Sequence, residues 1–583
     1  MRDAMKRLGF TLALVLVLLP GDGAVAATAA QFDVVMRAYL ADFARESPVY
    51  ADSLGIQTYA DRLDDLSVAG HARGLASLRA WRARFADEAP SSAEPAGVAA
   101  DRLAMIHALD AQLVEDELLA PWRTDPGTYV GVLGQSVFVQ LVRAGRPADE
   151  RFGHIVARLS TMRGVTDAGI ANLQHTTDPA RRLASAQLDG VLELYASLPD
   201  AAVAQGVSAP MRARLGAALP DAIAGVRAFK AFVDGPLAAH AGDEPRIGAA
   251  AYTRLFPLVT GVDLTPAELE TRARARIATT RAEMLRIAAP LYAKMFPAKV
   301  APPGGDARTN AVVRPVLDAI AEQHATPATL LDQARADVAE NMAFLRRMGL
   351  IALPDPDTLQ VRRTPAIQAG TAGASMQTSG PFEPPTEPSY YNVDPVPADW
   401  KPDRIASYLR ENDDAGIHML SIHEAVPGHY VQLRANNTNP SLMRRVFGNG
   451  SFIEGWACWT EGLMIEQGFR PDDDALKLTQ LKWRLREATN ALIDAEYHAG
   501  SLSHDEAIAL LVDGAFQENS EAESKWHRLQ LTHVQLATYF AGLDAIERAR
   551  AASGLDAKTF AARLLAMGAV EPRAIPSLLE SAR

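Results

Sequence analysis

The chain of 583 residues contains a single cysteine, Cys458. An internal disulfide is therefore impossible, and the fold has to rest on packing alone, even in an oxidising compartment. Positive charge is also in short supply: 58 basic against 70 acidic side chains leave a net charge of −12. Such a surface repels phosphate backbones and excludes general nucleic-acid binding. Beyond the N-terminus there is no long apolar run, which excludes a polytopic membrane protein. Gly-x-Ser-x-Gly elbows, phosphate loops and dinucleotide fingerprints are missing as well, so neither a nucleotide enzyme nor a serine hydrolase of that type is indicated. What is present is ordinary for a globular protein: 48% apolar and 22% charged residues, in a chain long enough to bury a large core.

The first segment reads as a secretory signal. Lys6 and Arg7 precede the apolar run LGFTLALVLVLLP, and Ala24-Val25-Ala26 forms a small-x-small cleavage site. The apolar run is too short for a stable membrane span. Cys458 lies far from the cleavage site, so no lipidated cysteine follows it. The expected product, cleaved near Ala26, is periplasmic or secreted, with no stable membrane insertion.

Most of the remaining sequence carries apolar residues at three- and four-residue steps, as in FDVVMRAYLADFARE and VAADRLAMIHALDAQLVEDELLA. Thr265, Pro266 and Glu268 form a helix-start signature. The pattern predicts an all-α, mainly helical fold, with a soft boundary near 250 between an N-terminal helical region (27–250) and a helical catalytic region (251–583). Residues 353–400 differ. Rich in Pro, Gly, Ser and Thr, they predict short edge strands and loops, hence a small β-sheet region directly before the strongest motif.

That motif is DDAGIHMLSIHEAVPGHYVQL, with His423, Glu424 and His429. Two imidazoles and a carboxylate are what a hydrolytic zinc site needs, as ligands and as a base for water. In the H-E-x-x-H arrangement the histidines are four apart and share a helix face. Here they are six apart, which on an ideal helix separates the rings by about 120° and roughly 9 Å along the axis. Chelation of one ion then requires a local distortion. Pro427 supplies it by lacking an N–H and clashing with the preceding turn, and Gly428 tolerates the resulting backbone. Downstream, GSFIEGWACWTEGLMIEQGF predicts a second helix. On it Glu454 is placed to be the third ligand, leaving a fourth position for water, and Glu461 to orient a ligand histidine. Cys458 reads as a small buried residue and His418 as structural.

HEAVPGHYVQL followed by FIEGWACWTEG resembles the bacterial domain of unknown function 885 family, with its H-E-x-x-P-G-H and E-G-W-A motifs. The likeness extends through ESPVYADSLGIQTY, TGVDLTPAELE and REATNALIDAEYHAGSLSHDEA. Two positions depart from it: Tyr430 stands where a histidine is common, and Cys458 where an aliphatic residue is expected. The family is similar to gluzincin metallopeptidases, which implies a helical lobe around a deep channel with a sheet edge for an extended substrate. Carried over, His423, His429 and Glu454 become the ligands of one Zn2+ and Glu424 the general base. An oxyanion also needs a partner. The candidates are Tyr539 and His498, the latter with Asp494 four residues earlier to hydrogen-bond it, while Tyr390 and Tyr391 are candidates to line the substrate path.

The resulting expectation is an exported zinc hydrolase, a metallopeptidase acting on a peptide or small amide. Two alternatives stand beside it: a zinc amidase acting on non-peptide or cell-wall amides, and an inactive peptide-binding protein. Retention of Glu424 disfavours the last. Cobalt or manganese would suit the same ligands.

Overall fold

Segments with helical apolar spacing fold as helices almost throughout the computed structural model, which describes residues 22–87, 94–143, 145–301, 304–365 and 373–581. Residues 1–21 of the expected leader lie outside these. The first described helix is Asp22–Glu46. The Thr265 signature starts the helix Pro266–Met295 with a reciprocal cap, Thr265 accepting from the Glu268 N–H while the Glu268 carboxylate accepts from that of Thr265.

One apolar core is built from residues between Val49 and Leu237, chiefly the helices Gly127–Val142, Ala148–Thr161, Asp178–Ala204 and Ala209–Asp234. A second lies between Leu330 and Leu579 and surrounds the His-Glu motif. They do not divide the chain cleanly. Phe32, Tyr39, Phe85 and Met105 pack with Leu442 and Met443, and Tyr252 and Phe256 pack with Leu492 and Phe540.

The irregular stretch before the motif holds a three-stranded sheet: β1 (Leu359–Arg363), β2 (Ala374–Gln377) and β3 (Ser389–Val393). The order is β1-β3-β2, with β3 central, parallel to β1 and antiparallel to β2; Tyr391 sits opposite Val361 on one side and Met376 on the other. Among the described residues the fold is thus mainly helical with one small sheet, as the apolar spacing and the Pro- and Gly-rich stretch imply.

Two helices behind the motif approach closely. Gly455, on the helix Gly450–Glu466, and Gly542, on Gln535–Ser553, let these backbones touch. A Cβ on Gly542 would lie 1.7 Å from the Ser451 carbonyl oxygen, and one on Gly455 would lie 2.4 Å from the Gly542 carbonyl carbon. Backbone cannot yield as a side chain can, so Gly542→Ala is expected to force the helices apart and cost about 3 kcal/mol. Thermal melts check this against Gly216→Ala, an exposed helical position with nothing within 4 Å. That control should be neutral or up to ~1 kcal/mol stabilising.

Candidate metal centre

The two histidines meet because the helix between them stops. Asp414–Glu424 ends at Glu424, a new helix begins at His429, and the link contains a cis peptide between Val426 and Pro427. Gly428 is needed for space: a Cβ there would lie 1.8 Å from the His423 carbonyl oxygen. Buried Trp456 secures the link by donating from Nε1 to the Pro427 carbonyl at 2.9 Å. Three residues of the second motif thereby have distinct tasks: Glu454 faces the histidines, Gly455 admits the neighbouring helix, and Trp456 holds the turn.

The rings of His423 and His429 lie edge to face, 4.8 Å apart at 87°. Oε2 of Glu454 is 3.6 Å from Nε2 of His423 and 3.5 Å from Nε2 of His429. These separations are too long for good hydrogen bonds. They match the spacing of about 3.4 Å between tetrahedral donors that each lie about 2.1 Å from a shared ion. Glu454 Oε2 is buried and has no hydrogen-bond partner, as an atom awaiting a ligand would be. The donor set and its spacing fit a zinc ion.

Each ring is held from behind. Glu461 Oε1 lies 2.7 Å from His423 Nδ1. The Gln432 amide nitrogen lies 2.9 Å from His429 Nδ1 and donates to the Ile453 carbonyl at 2.7 Å, joining this ring to the Glu454 helix. His423 also packs on Trp483 and nearly parallel to Tyr539, with centroids at 5.8 and 6.4 Å. Glu424 ends its helix beside His423 and is 9% exposed.

Carboxylates crowd this pair of imidazoles. Burial disfavours charge on His423, yet Glu454 and Glu461 outweigh it and push the ring up to about 10. Burial likewise works against the Glu454 carboxylate, and the two histidines hold it far below the usual range. So concentrated a set of anions favours positive charge at the His423–Glu454 pair. Sequence reasoning missed Glu487, a buried neighbour of Glu461. Burial first, then the Glu461 charge, push its carboxyl well up. Cys458 is fully buried, with its sulfur within 4.8 Å of ligand atoms on His423 and Glu461.

The other candidate residues lie in different surroundings. His498 Nε2 meets the Thr532 carbonyl at 2.8 Å, and its ring contacts are with Tyr252, Tyr497 and His533 rather than with His423. Burial and the His533 charge lower it to about 4, which keeps it neutral. Asp494 does not hydrogen-bond His498, the nearest atoms being 3.6 Å apart. It accepts instead from Ala537 N–H (3.1 Å) and Tyr252 hydroxyl (3.2 Å), capping the helix that carries Tyr539. A cap from outside is useful there because the residue before that helix, Val534, has a φ of 62° and supplies none.

Burial raises Asp494 to about 7. The folded protein then keeps a proton that the unfolded chain releases above about pH 4, so stability should fall as pH rises from about 4 to 7. Asp494→Asn is expected to flatten the change in melting temperature across this window. Parallel curves for the two proteins would reject the assignment.

Tyr391 is fully buried, its hydroxyl 3.4 Å from Ser421 Oγ, so it docks the sheet on the His-Glu helix and cannot line an open path. Tyr390 points the other way, half-buried under the Arg362 guanidinium at 3.5 Å. Tyr430 takes part in the same anchoring. Its hydroxyl donates to Asp357 (2.8 Å) and accepts from the Thr358 N–H (2.9 Å) at the start of β1. His418 ties its helix to Leu330–Met348 through Asn341 and Asp337. Two surface clefts, one lined by Met295, Gln323 and Arg470 and the other by Trp459, Arg484 and Glu547, include no metal-motif residue. Neither is the deep channel implied by the resemblance. Among the described residues no helix is long and apolar enough to cross a membrane.

The chain is similar in structure to a candidate lipoprotein of unknown function from Shewanella oneidensis, with a TM-score of 0.77 and 26% identity over 94% of this chain and 99% of that one. A candidate lipoprotein from Colwellia psychrerythraea has the same fold, with a TM-score of 0.76 at 15% identity over 95% of this chain and 99% of that one. No curated protein matches. Residues 48–578 match the model of the bacterial proteins of unknown function called DUF885, and the chain belongs to that family.

Proposed function

We propose that the protein is an exported zinc-dependent hydrolase, and specifically a metallopeptidase similar to the gluzincins. The observation that carries this reading is the convergence of His423, His429 and the unpartnered Glu454 oxygen at donor-to-donor distances suited to one ion. A bound zinc ion supplies Lewis-acid polarisation of the scissile carbonyl and makes water more acidic. Glu424 takes the proton of the attacking water and delivers it to the nitrogen released as the C–N bond breaks. Glu461 holds the His423 ring through Nδ1 so that Nε2 stays turned towards Glu454. Tyr539, packed on His423, is the better placed of the two candidates to donate to the oxyanion. Burial pushes its hydroxyl up to about 12, against the effect of Arg528, so it keeps its proton. Export rests on the basic and apolar leader ending in Ala24-Val25-Ala26. The structurally similar proteins are described as lipoproteins, whereas the one cysteine here is buried inside a helix.

The test combines metal content with turnover. The purified protein should hold one equivalent of zinc, and His423→Ala and Glu454→Ala should each lose it. A panel of short peptides, run beside cell-wall and non-peptide amides, should give metal-dependent cleavage of the peptides. Zinc retained by both variants, or a panel untouched by the zinc-loaded protein, would reject the reading.

A further inference from the structure

Resting on this hydrolase reading, we infer that the site selects its substrate by a carboxylate, received by Arg528 and Arg486. The two aromatic rings that pack on His423 each carry an arginine. Arg528 lies 5.6 Å from the Tyr539 ring and donates from Nη2 to its hydroxyl at 2.9 Å. Arg486 lies 5.1 Å from the Trp483 ring. The two guanidiniums are close enough to repel each other, and buried Lys525 lies near both, its ammonium pushed down to about 7 by burial and by the two arginines.

Direct pairing is uneven: Glu521 Oε1 lies 2.7 Å from Arg486 and 3.4 Å from Lys525. The hydrogen bond of Arg528 goes to a neutral phenol. Arg410, Arg470 and Arg550, by contrast, each reach a carboxylate: Glu322, Glu340 and Glu466. Glu454 and Glu521 act on Arg528 from beyond ion-pair distance and keep it charged, and one phenol occupies only part of a five-donor guanidinium. Held beside a nearly closed centre, it favours an incoming anion. The planar guanidinium fork matches a carboxylate in shape and charge.

His423, Glu424 and His429 are all below 10% exposed. Such a centre admits the end of a chain more readily than its middle. The anion that fits is therefore the free carboxyl terminus of a short peptide, with cleavage near that end. An acidic side chain offers the same chemistry, and the probes below separate the two.

The test is binding of N-acetyl-Ala-Ala-Ala, its C-terminal amide, and N-acetyl-Ala-Glu-Ala-amide to the zinc-loaded Glu424→Gln protein, measured by calorimetry. One charge-assisted contact predicts about 30-fold tighter binding of the free acid than of its amide. Arg528→Gln or Arg486→Gln in the same background should bring that ratio below about 3-fold, by loss of affinity for the acid alone. Tight binding of the glutamate-containing amide would support carboxylate selection and assign it to a side chain. Equal affinity for all three probes would overturn the inference, as would an undiminished ratio in both arginine variants. These outcomes are separate from the parent reading, which falls if the wild-type protein cleaves no peptide even though the binding ratio stands.

Discussion

Glu424→Gln is expected to lower peptide turnover by about 1000-fold while zinc content and melting temperature stay at wild-type values. Glutamine keeps the size and a hydrogen-bonding oxygen but cannot accept a proton from water at neutral pH. Glu424 is the last residue of its helix, next in sequence to a proposed ligand and no part of the Glu454–histidine triangle. Its loss should leave the ion in place. The readout is a fall in kcat with little change in KM, since the base acts mainly in the transition state. Glu424→Asp, which retains a carboxylate but withdraws it by one methylene, should fall between the two. Normal turnover by the glutamine variant would remove Glu424 from the mechanism.

Gly428→Ala should damage both stability and metal binding through a single methyl group. The added Cβ would meet the His423 carbonyl oxygen at 1.8 Å and that of Ile422 at 2.5 Å, both backbone atoms. Neither side of the contact can move freely. The Gly428 N–H donates to the Ile422 carbonyl at 3.0 Å, and Trp456 holds the adjoining Pro427 carbonyl. The expected cost is about 3 kcal/mol or more, with zinc affinity lowered at least about 10-fold as His423 and His429 are driven apart. Melting temperature and competition with a chelator measure the two effects. Trp456→Phe, which removes the indole donor and leaves most of the packing, should give a milder form of both. An alanine variant with wild-type stability and zinc affinity would show that the link can open without disturbing the histidines.

Much of this could be read from the order of residues. Apolar spacing identified the helices, the Thr265–Glu268 pair marked a helix start, and the Pro- and Gly-rich stretch before the motif located the sheet. The grouping of His423, His429 and Glu454 was legible because each lies in a short motif, and because the breaker Pro427-Gly428 sits at the one place where six-residue spacing of the histidines needs it. The close contact at Gly428 was not. It rests on the distance to a carbonyl five residues back, which only folded coordinates contain.

Residues that meet across long separations carried no signal of this kind. Gly542 has no motif around it, yet it sets how closely the Tyr539 helix approaches Glu454. Tyr391 looked suited to a substrate path, and its burial against Ser421 makes it an anchor. His498 and Asp494 looked like a catalytic pair because they are four apart on one helix. The packing of Tyr252 and the Tyr539 helix start claims them for support instead. Arg528 was one arginine among many until Tyr539, itself packed on His423, came to lie beside it. By itself the sequence determined what is local: helix periodicity, caps, breakers and ligand types within a few residues of one another. The tertiary structure alone decided which distant side chains share a buried pocket and which of them reach a counter-charge, because burial and electrostatic compensation depend on neighbours that chain order does not specify.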